Sequence, residues 1–170
     1  LKNCINNDLA NNYGNLCQRV FSFIKKNCSN KIPKPKKILK QDLILNSKIV
    51  NNLPNLIKLM NKQNANEYIK TVVSYSFDSN KYFNDSEPWA LKKTDQERMN
   101  SILFTIIEQI KNISILLSPI IPISTNKVLD TLNIETKERI ISNISKKNSL
   151  NHDIELQNLE ILFKKVEDDN

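Results

Sequence analysis

Residues 94–117 read TDQERMNSILFTIIEQIKNISILL, and this stretch decides the fold class. Thr94 to Glu97 has the S/T-x-x-E form of a capping box, in which a hydroxyl and a carboxylate satisfy the N–H groups that open a helix. Met99, Ile102, Leu103, Ile106, Ile107, Ile110, Ile113, Leu116 and Leu117 then recur at intervals of three and four, which puts them on one helical face. Pro119 and Pro122 follow, and neither has the N–H that a continuing helix needs. The spacing predicts a long helix whose apolar face can organise a bundle.

On its N-terminal side, Tyr68, Ile69, Val72, Val73, Tyr75, Phe77 and Phe83 predict another helix, ending before Pro88. Leu43, Ile49, Val50, Leu53, Leu56, Ile57 and Met60 predict one more, which Pro54 should kink or restart. Leu9, Tyr13, Leu16, Val20, Phe23 and Ile24 form the stripe of a first helix, entered through Asn6-Asn7-Asp8 and running to about Asn27. Residues 31–40 hold two prolines and five lysines, the signature of an extended, solvated and mobile loop. Beyond Pro122, Ser124 is the expected cap of a short helix through Val128, Leu129 and Leu132, and residues 138–145 form a further short one. The tail, with Leu156, Leu159, Ile161, Leu162, Phe163 and Val166, suits a helix or an extended strand equally. The expected fold is all-α, a helix bundle of about four long helices plus one or two short C-terminal helices. Residues 1–170 form a single domain, with 1–132 the bundle and 133–170 a C-terminal extension.

Composition narrows the function. The single glycine excludes Gly-rich phosphate loops and the tight turns of all-β folds. A formal charge of +7, from 25 Lys and Arg against 18 Asp and Glu, favours a phosphate-bearing partner. Cys4, Cys17 and Cys28 are odd in number and lack CxxC spacing, so they indicate neither a disulfide framework nor a zinc site; a reducing, cytoplasmic setting fits them. His152 lies in a polar, turn-like stretch with no Cys or His at ligand spacing and reads as a surface residue. No apolar run approaches the roughly 20 residues of a membrane span. Leu1 stands where an initiator Met would, which suggests a piece of something larger.

The single tryptophan, Trp89, follows Pro88 where a helical stretch ends, offering an aromatic plane to something flat. Asn15 and Arg19 lie one helical turn apart on the first helix, and Arg19 falls about 90° from the centre of the apolar stripe on a wheel of about 100° per residue. An amide and a guanidinium so placed can border the core while their polar ends face solvent, suited to reading the edge of a base stacked on the indole. Taken singly, Trp89 would be a packing residue, Arg19 a snorkelling helix-edge arginine and Pro88 a helix stop. Lys31, Lys34, Lys36, Lys37 and Lys40 are candidates for auxiliary, salt-sensitive contacts to an RNA backbone.

In order along the chain, Asn7-Asp8-Leu9-Ala10-Asn11-Asn12-Tyr13-Gly14-Asn15-Leu16-Cys17-Gln18-Arg19, then Asn80-Lys81-Tyr82 with Glu87-Pro88-Trp89-Ala90-Leu91-Lys92, then Ser118-Pro119-Ile120-Ile121-Pro122 resemble the α-helical anticodon-binding domain of class I methionyl-tRNA synthetases of bacterial type. The likeness runs from the first helix through at least Leu132 and extends loosely to Leu162-Phe163-Lys164-Lys165-Val166-Glu167. It implies recognition of the CAU anticodon of methionine tRNA, with the first base stacked on Trp89 after Pro88 and contacted by Asn15 and Arg19. It also implies a partner catalytic domain, N-terminal to this piece, that uses ATP to charge the tRNA with methionine. The H-I-G-H and K-M-S-K-S motifs of that catalytic domain do not occur here, so this piece is expected to bind tRNA rather than catalyse, with no cofactor, metal or membrane of its own. The rival expectation is a helical protein-interaction or regulatory bundle, in which Trp89 anchors a partner helix.

Overall fold

In a computed structural model, which describes residues 7–144 and 150–156, the chain is a helix bundle. In chain order the helices are α1 (Asn15–Asn27), α2 (Lys40–Asn61), α3 (Ala65–Ser86), α4 (Pro88–Leu91), α5 (Gln96–Leu117) and α6 (Pro122–Thr131). A π-helical turn, Leu9–Gly14, leads into α1, and 3₁₀ turns at Thr136–Glu138 and Ile141–Asn143 follow α6. The all-α expectation holds among the described residues, with α1, α2, α3 and α5 as the four long helices.

The stretch that announced the fold lies at its centre. Helix α5 packs against α1, α2, α3, α4 and α6, and every residue of its last two turns from Gln109 to Leu117 is buried. A one-sided stripe was expected; instead the helix is enclosed nearly all round. Its buried polar side chains therefore need partners inside the protein. Ser114 shares a hydrogen bond of 2.5 Å with the Tyr13 hydroxyl, Gln109 Nε2 donates to Ser79 Oγ at 3.2 Å, and Thr105 returns its hydroxyl to the Ser101 carbonyl at 2.8 Å. The start of α5 differs by one residue from the predicted box. Asp95, not Thr94, is the cap and accepts from the Arg98 N–H at 3.2 Å, where its charge also complements the helix N-terminus.

Other elements depart from expectation for local reasons. Pro54 lies inside a single continuous α2, so it does not start a new helix. Ser124 is buried within α6, which opens instead on Pro122 at its first turn, a position where the missing N–H costs nothing. Over 138–144, the described part of the helix predicted at 138–145, the structure has 3₁₀ turns instead, and Ser145 falls outside the described residues. Asn7 and Asp8 are already helical rather than capping, and Asn6 falls outside the described residues, as do Leu159 to Val166 of the tail and Cys4. Leu43, Ile57, Met60 and Phe77, read as part of apolar series, are exposed.

The lysine-rich segment is extended, as expected, but it is pinned rather than mobile. The Ile32 N–H donates to the Ile154 carbonyl at 2.9 Å, that of Asp153 to the Ile32 carbonyl at 2.7 Å, and that of Leu156 to the Asn30 carbonyl at 2.8 Å, so the tail over 150–156 runs against it as an extended partner. Farther on, the N–H groups of Lys36 and Lys37 both donate to Ser101 Oγ on α5. Ile32 and Pro33 are buried in consequence.

A buried ion pair ties α2 to α5. Asp42, at the third position of α2, accepts from both terminal nitrogens of Arg98 at 2.6 and 2.9 Å, from the Leu39 N–H at 2.9 Å, and from the Tyr82 hydroxyl of α3. Arg98 also donates to the Lys37 carbonyl at 3.0 Å, which holds the extended segment to the same point. Burial pushes the Asp42 carboxyl up, but the hydrogen bonds from Arg98, Tyr82 and Leu39 and the guanidinium charge outweigh it and leave the group below its ordinary value.

Candidate functional site

Helix α3 ends at Ser86, and Glu87 takes a left-handed conformation, φ 45° and ψ 58°, that turns the chain out of the helix. Pro88 then opens α4 at its first position and is buried. Trp89 thus begins a new short helix rather than ending the long one, and it stands at the corner with 46% of its surface exposed. Its indole meets the Phe83 ring edge-on, with centroids 5.4 Å apart and planes at 70°. Phe83 in turn meets Phe23 of α1 edge-on at 6.2 Å. Such edge-to-face contacts fix ring orientation as well as burying area.

Arg19 arrives at the same ring from α1. Its guanidinium carbon lies 4.8 Å from the Phe83 centroid, within cation–π range. Nη1 donates to Asn80 Oδ1 at 3.1 Å and Nη2 to Asn84 Oδ1, so the guanidinium is held by two carboxamides one turn apart on α3. Among the described residues it makes no ion pair, and its charge is not cancelled. Asn15 lies one turn before it on α1, exposed. The structure therefore brings Arg19 and Trp89 together on Phe83, while Asn15 is exposed and makes none of the contacts of that cluster.

The predicted lysines form no part of that contact set. Lys37 Nζ pairs with Asp95 at 2.6 Å, while Lys31, Lys34, Lys36 and Lys40 are exposed along the pinned segment. Lys92, three residues after Trp89, comes close enough to Cys28 to pull its thiol down, although burial dominates and pushes it up to about 11. Burial likewise pushes the Cys17 thiol up to about 12, so neither thiol is a thiolate available for nucleophilic or metal chemistry at neutral pH. Among the described residues no group of three or more His, Cys, Asp or Glu could hold a metal, and no helix is long and apolar enough to cross a membrane. His152 is exposed and bonds Asp153 at 2.7 Å.

Sequence reasoning missed Asn80, Phe83 and Asn84 as members of this site. Phe83 falls in the apolar series of α3, Asn80 enters only as part of the Asn80-Lys81-Tyr82 block of the resemblance with no role of its own, and Asn84 is an ordinary residue in an Asn-rich chain. Their i, i+3 and i+4 spacing, which sets all three on one helical face, together with Asn80's place in that block, is the signal that could have found them.

The arrangement sets a half-exposed indole and a guanidinium without an ion-pair partner among the described residues against the same phenylalanine ring, an aromatic plane and a set of N–H donors within one cluster. Comparison with known proteins places the chain. Residues 32–170 match the family described as the anticodon binding domain of methionyl tRNA ligase. The methionine–tRNA ligase of Rickettsia felis is 35% identical over 175 residues, covering 97% of this chain and 33% of that protein. That of Mesorhizobium japonicum is 36% identical over 137 residues, covering 81% of this chain and 27% of its own. The Mycobacterium tuberculosis methionyl-tRNA synthetase, solved in complex with methionyl-adenylate, superposes with a TM-score of 0.83 at 29% identity, over 90% of this chain and 30% of that one. The chain thus spans about a third of the length of the relatives it matches.

Proposed function

The chain belongs to the family of anticodon-binding domains of methionyl-tRNA ligases, and on that premise we propose that it reads the CAU anticodon of methionine tRNA through Trp89, Arg19 and Asn15. In this reading Trp89 stacks on the first anticodon base while Pro88 fixes the corner on which the indole stands. Cytosine offers acceptors at O2 and N3, whereas uracil carries a hydrogen on N3, so a guanidinium aimed at that edge favours C and meets U donor against donor. Arg19 spends two of its five N–H groups on Asn80 and Asn84, which leaves three for a base edge. Asn15 adds an adaptable amide one turn away. Lys31, Lys34, Lys36 and Lys40 contribute salt-sensitive contacts to the RNA backbone, with Lys37 weaker because it is paired.

Aminoacylation belongs, in the same proposal, to an ATP-using catalytic domain of the full ligase, for which this domain selects and positions the tRNA. The observation that carries the reading is the meeting of Arg19 and Trp89 on Phe83 at an exposed corner. Titration of the chain with two stem-loops, one bearing CAU and one bearing UAU, tests it. The CAU hairpin should bind about tenfold or more tighter, the size expected when one buried edge donor loses its acceptor. Equal affinities would remove Arg19 and Asn15 as base readers.

A further inference from the structure

We propose that Asn80 is a positioning residue for base discrimination, which acts by holding Arg19 in a single orientation beside Trp89; the inference rests on the reading of Arg19 given above. An arginine at a helix edge samples many rotamers, and a guanidinium that must tell one base edge from another cannot be free to swing. Asn80 is itself locked at both ends. Its Oδ1 accepts from Arg19, while its Nδ2 donates to the Asn12 carbonyl of the π-helical turn at 3.0 Å and to the Ser76 carbonyl at 3.2 Å. With both amide hydrogens facing carbonyls, flipping the carboxamide would set donor against donor at Arg19 and acceptor against acceptor at Asn12 and Ser76. The acceptor therefore always faces the guanidinium.

The same residue links three parts of the fold, the π-turn before α1, the preceding turn of α3, and Arg19 on α1 itself. Asn84 supplies a second acceptor one turn on, and Phe83 between them supplies the face on which the guanidinium lies. An aspartate in place of Asn80 would hold Arg19 equally firmly but would cancel its charge. The neutral carboxamide fixes the direction of the donors and leaves their strength for the base.

The experiment compares wild type, Asn80→Ala, Arg19→Ala and the double variant, each titrated with hairpins beginning in C and in U. Asn80→Ala should lose about tenfold of the C-over-U preference and keep its affinity for the U hairpin within about twofold, since only a charge-assisted contact is removed. In the Arg19→Ala background it should change the preference no further, the coupling expected of a residue that acts through another. A wild-type preference that survives Asn80→Ala, or a further loss in the Arg19→Ala background, would overturn the proposal. Should Asn80→Ala lose its helical signal, Asn84→Ala decides through its exposed contact: a reduced preference supports the cradle and an unchanged one refutes it. A wild type indifferent to the first base would instead sink the reading of Arg19 itself, a failure visible before any variant is made.

Discussion

Two arginines of this chain sit within helical reach of the same helix, α3, and have opposite fates. Arg98 is buried and bidentate on the carboxylate of Asp42, with Tyr82 of α3 closing the carboxylate from the other side. Arg19 is half-buried, holds two neutral carboxamides, and lies over an aromatic ring that touches an exposed indole. The first charge is neutralised inside the protein and has become part of the scaffold. The second is oriented without being neutralised. A carboxylate partner cancels the charge it fixes, whereas carboxamides fix the direction of a guanidinium's donors and bring no charge of their own, which is what the proposed reading of Arg19 requires.

Breaking the buried pair should have the largest effect. Asp42→Ala leaves a guanidinium without its counter-charge in the interior and should cost about 3–5 kcal/mol in urea unfolding, while joint replacement of Asp42 and Arg98 by apolar residues of similar volume should recover most of that loss. The pair also sets an acid limit. The folded-state carboxyl lies below its ordinary value of 3.8, so its contribution is complete above that pH and is lost as pH falls through the lower, folded-state value. Thermal melts of wild type should therefore fall off below about pH 4 more steeply than those of the doubly apolar variant.

The surface cluster should respond in binding and leave the fold intact. Trp89→Ala should weaken both the CAU and the UAU hairpin by about 1–3 kcal/mol, because stacking tolerates any base, with the helical signal retained. Loss of folding in this variant would instead favour the packing reading, in which the indole serves the fold rather than a ligand. Arg19→Ala should cost less overall, yet it should do so unequally, reducing affinity for the C hairpin by about tenfold and for the U hairpin little. The smallest effect belongs to the pinned lysines. Lys34→Ala should leave stability unchanged and reduce the slope of log affinity against log salt by about 0.7, as for one lost contact to a single strand; an unchanged slope would remove Lys34 from the RNA contacts.

Much of the fold was legible because helices announce themselves locally. The three-and-four spacing over 99–117 and 68–83 and the prolines at 88, 119 and 122 marked elements that the structure contains. Boundaries were less legible, since they turn on single residues: Asp95 rather than Thr94 caps α5, and α6 opens on Pro122 after Ile121 rather than at Ser124. The lysine segment was misjudged as mobile because its anchors, Ser101, Arg98 and the carbonyl of Ile154, lie more than sixty residues away and no local pattern reports them. At the site, Trp89 and Arg19 could be singled out by type and position, but Phe83 looked like any core phenylalanine.

What the amino-acid sequence determined unaided was the four long helices and the family, and it singled out Trp89 and Arg19 by residue type and position alone. Periodicity and motif order reside in neighbouring positions, so no folding is needed to see them. Only the tertiary structure decided that Arg98 would be silenced by Asp42 while Arg19 stayed open, and that Asn80, Phe83 and Asn84 would cradle it. Those outcomes depend on which helix faces meet, and the energies that choose among faces come from burial and long-range pairing, which a linear pattern does not contain.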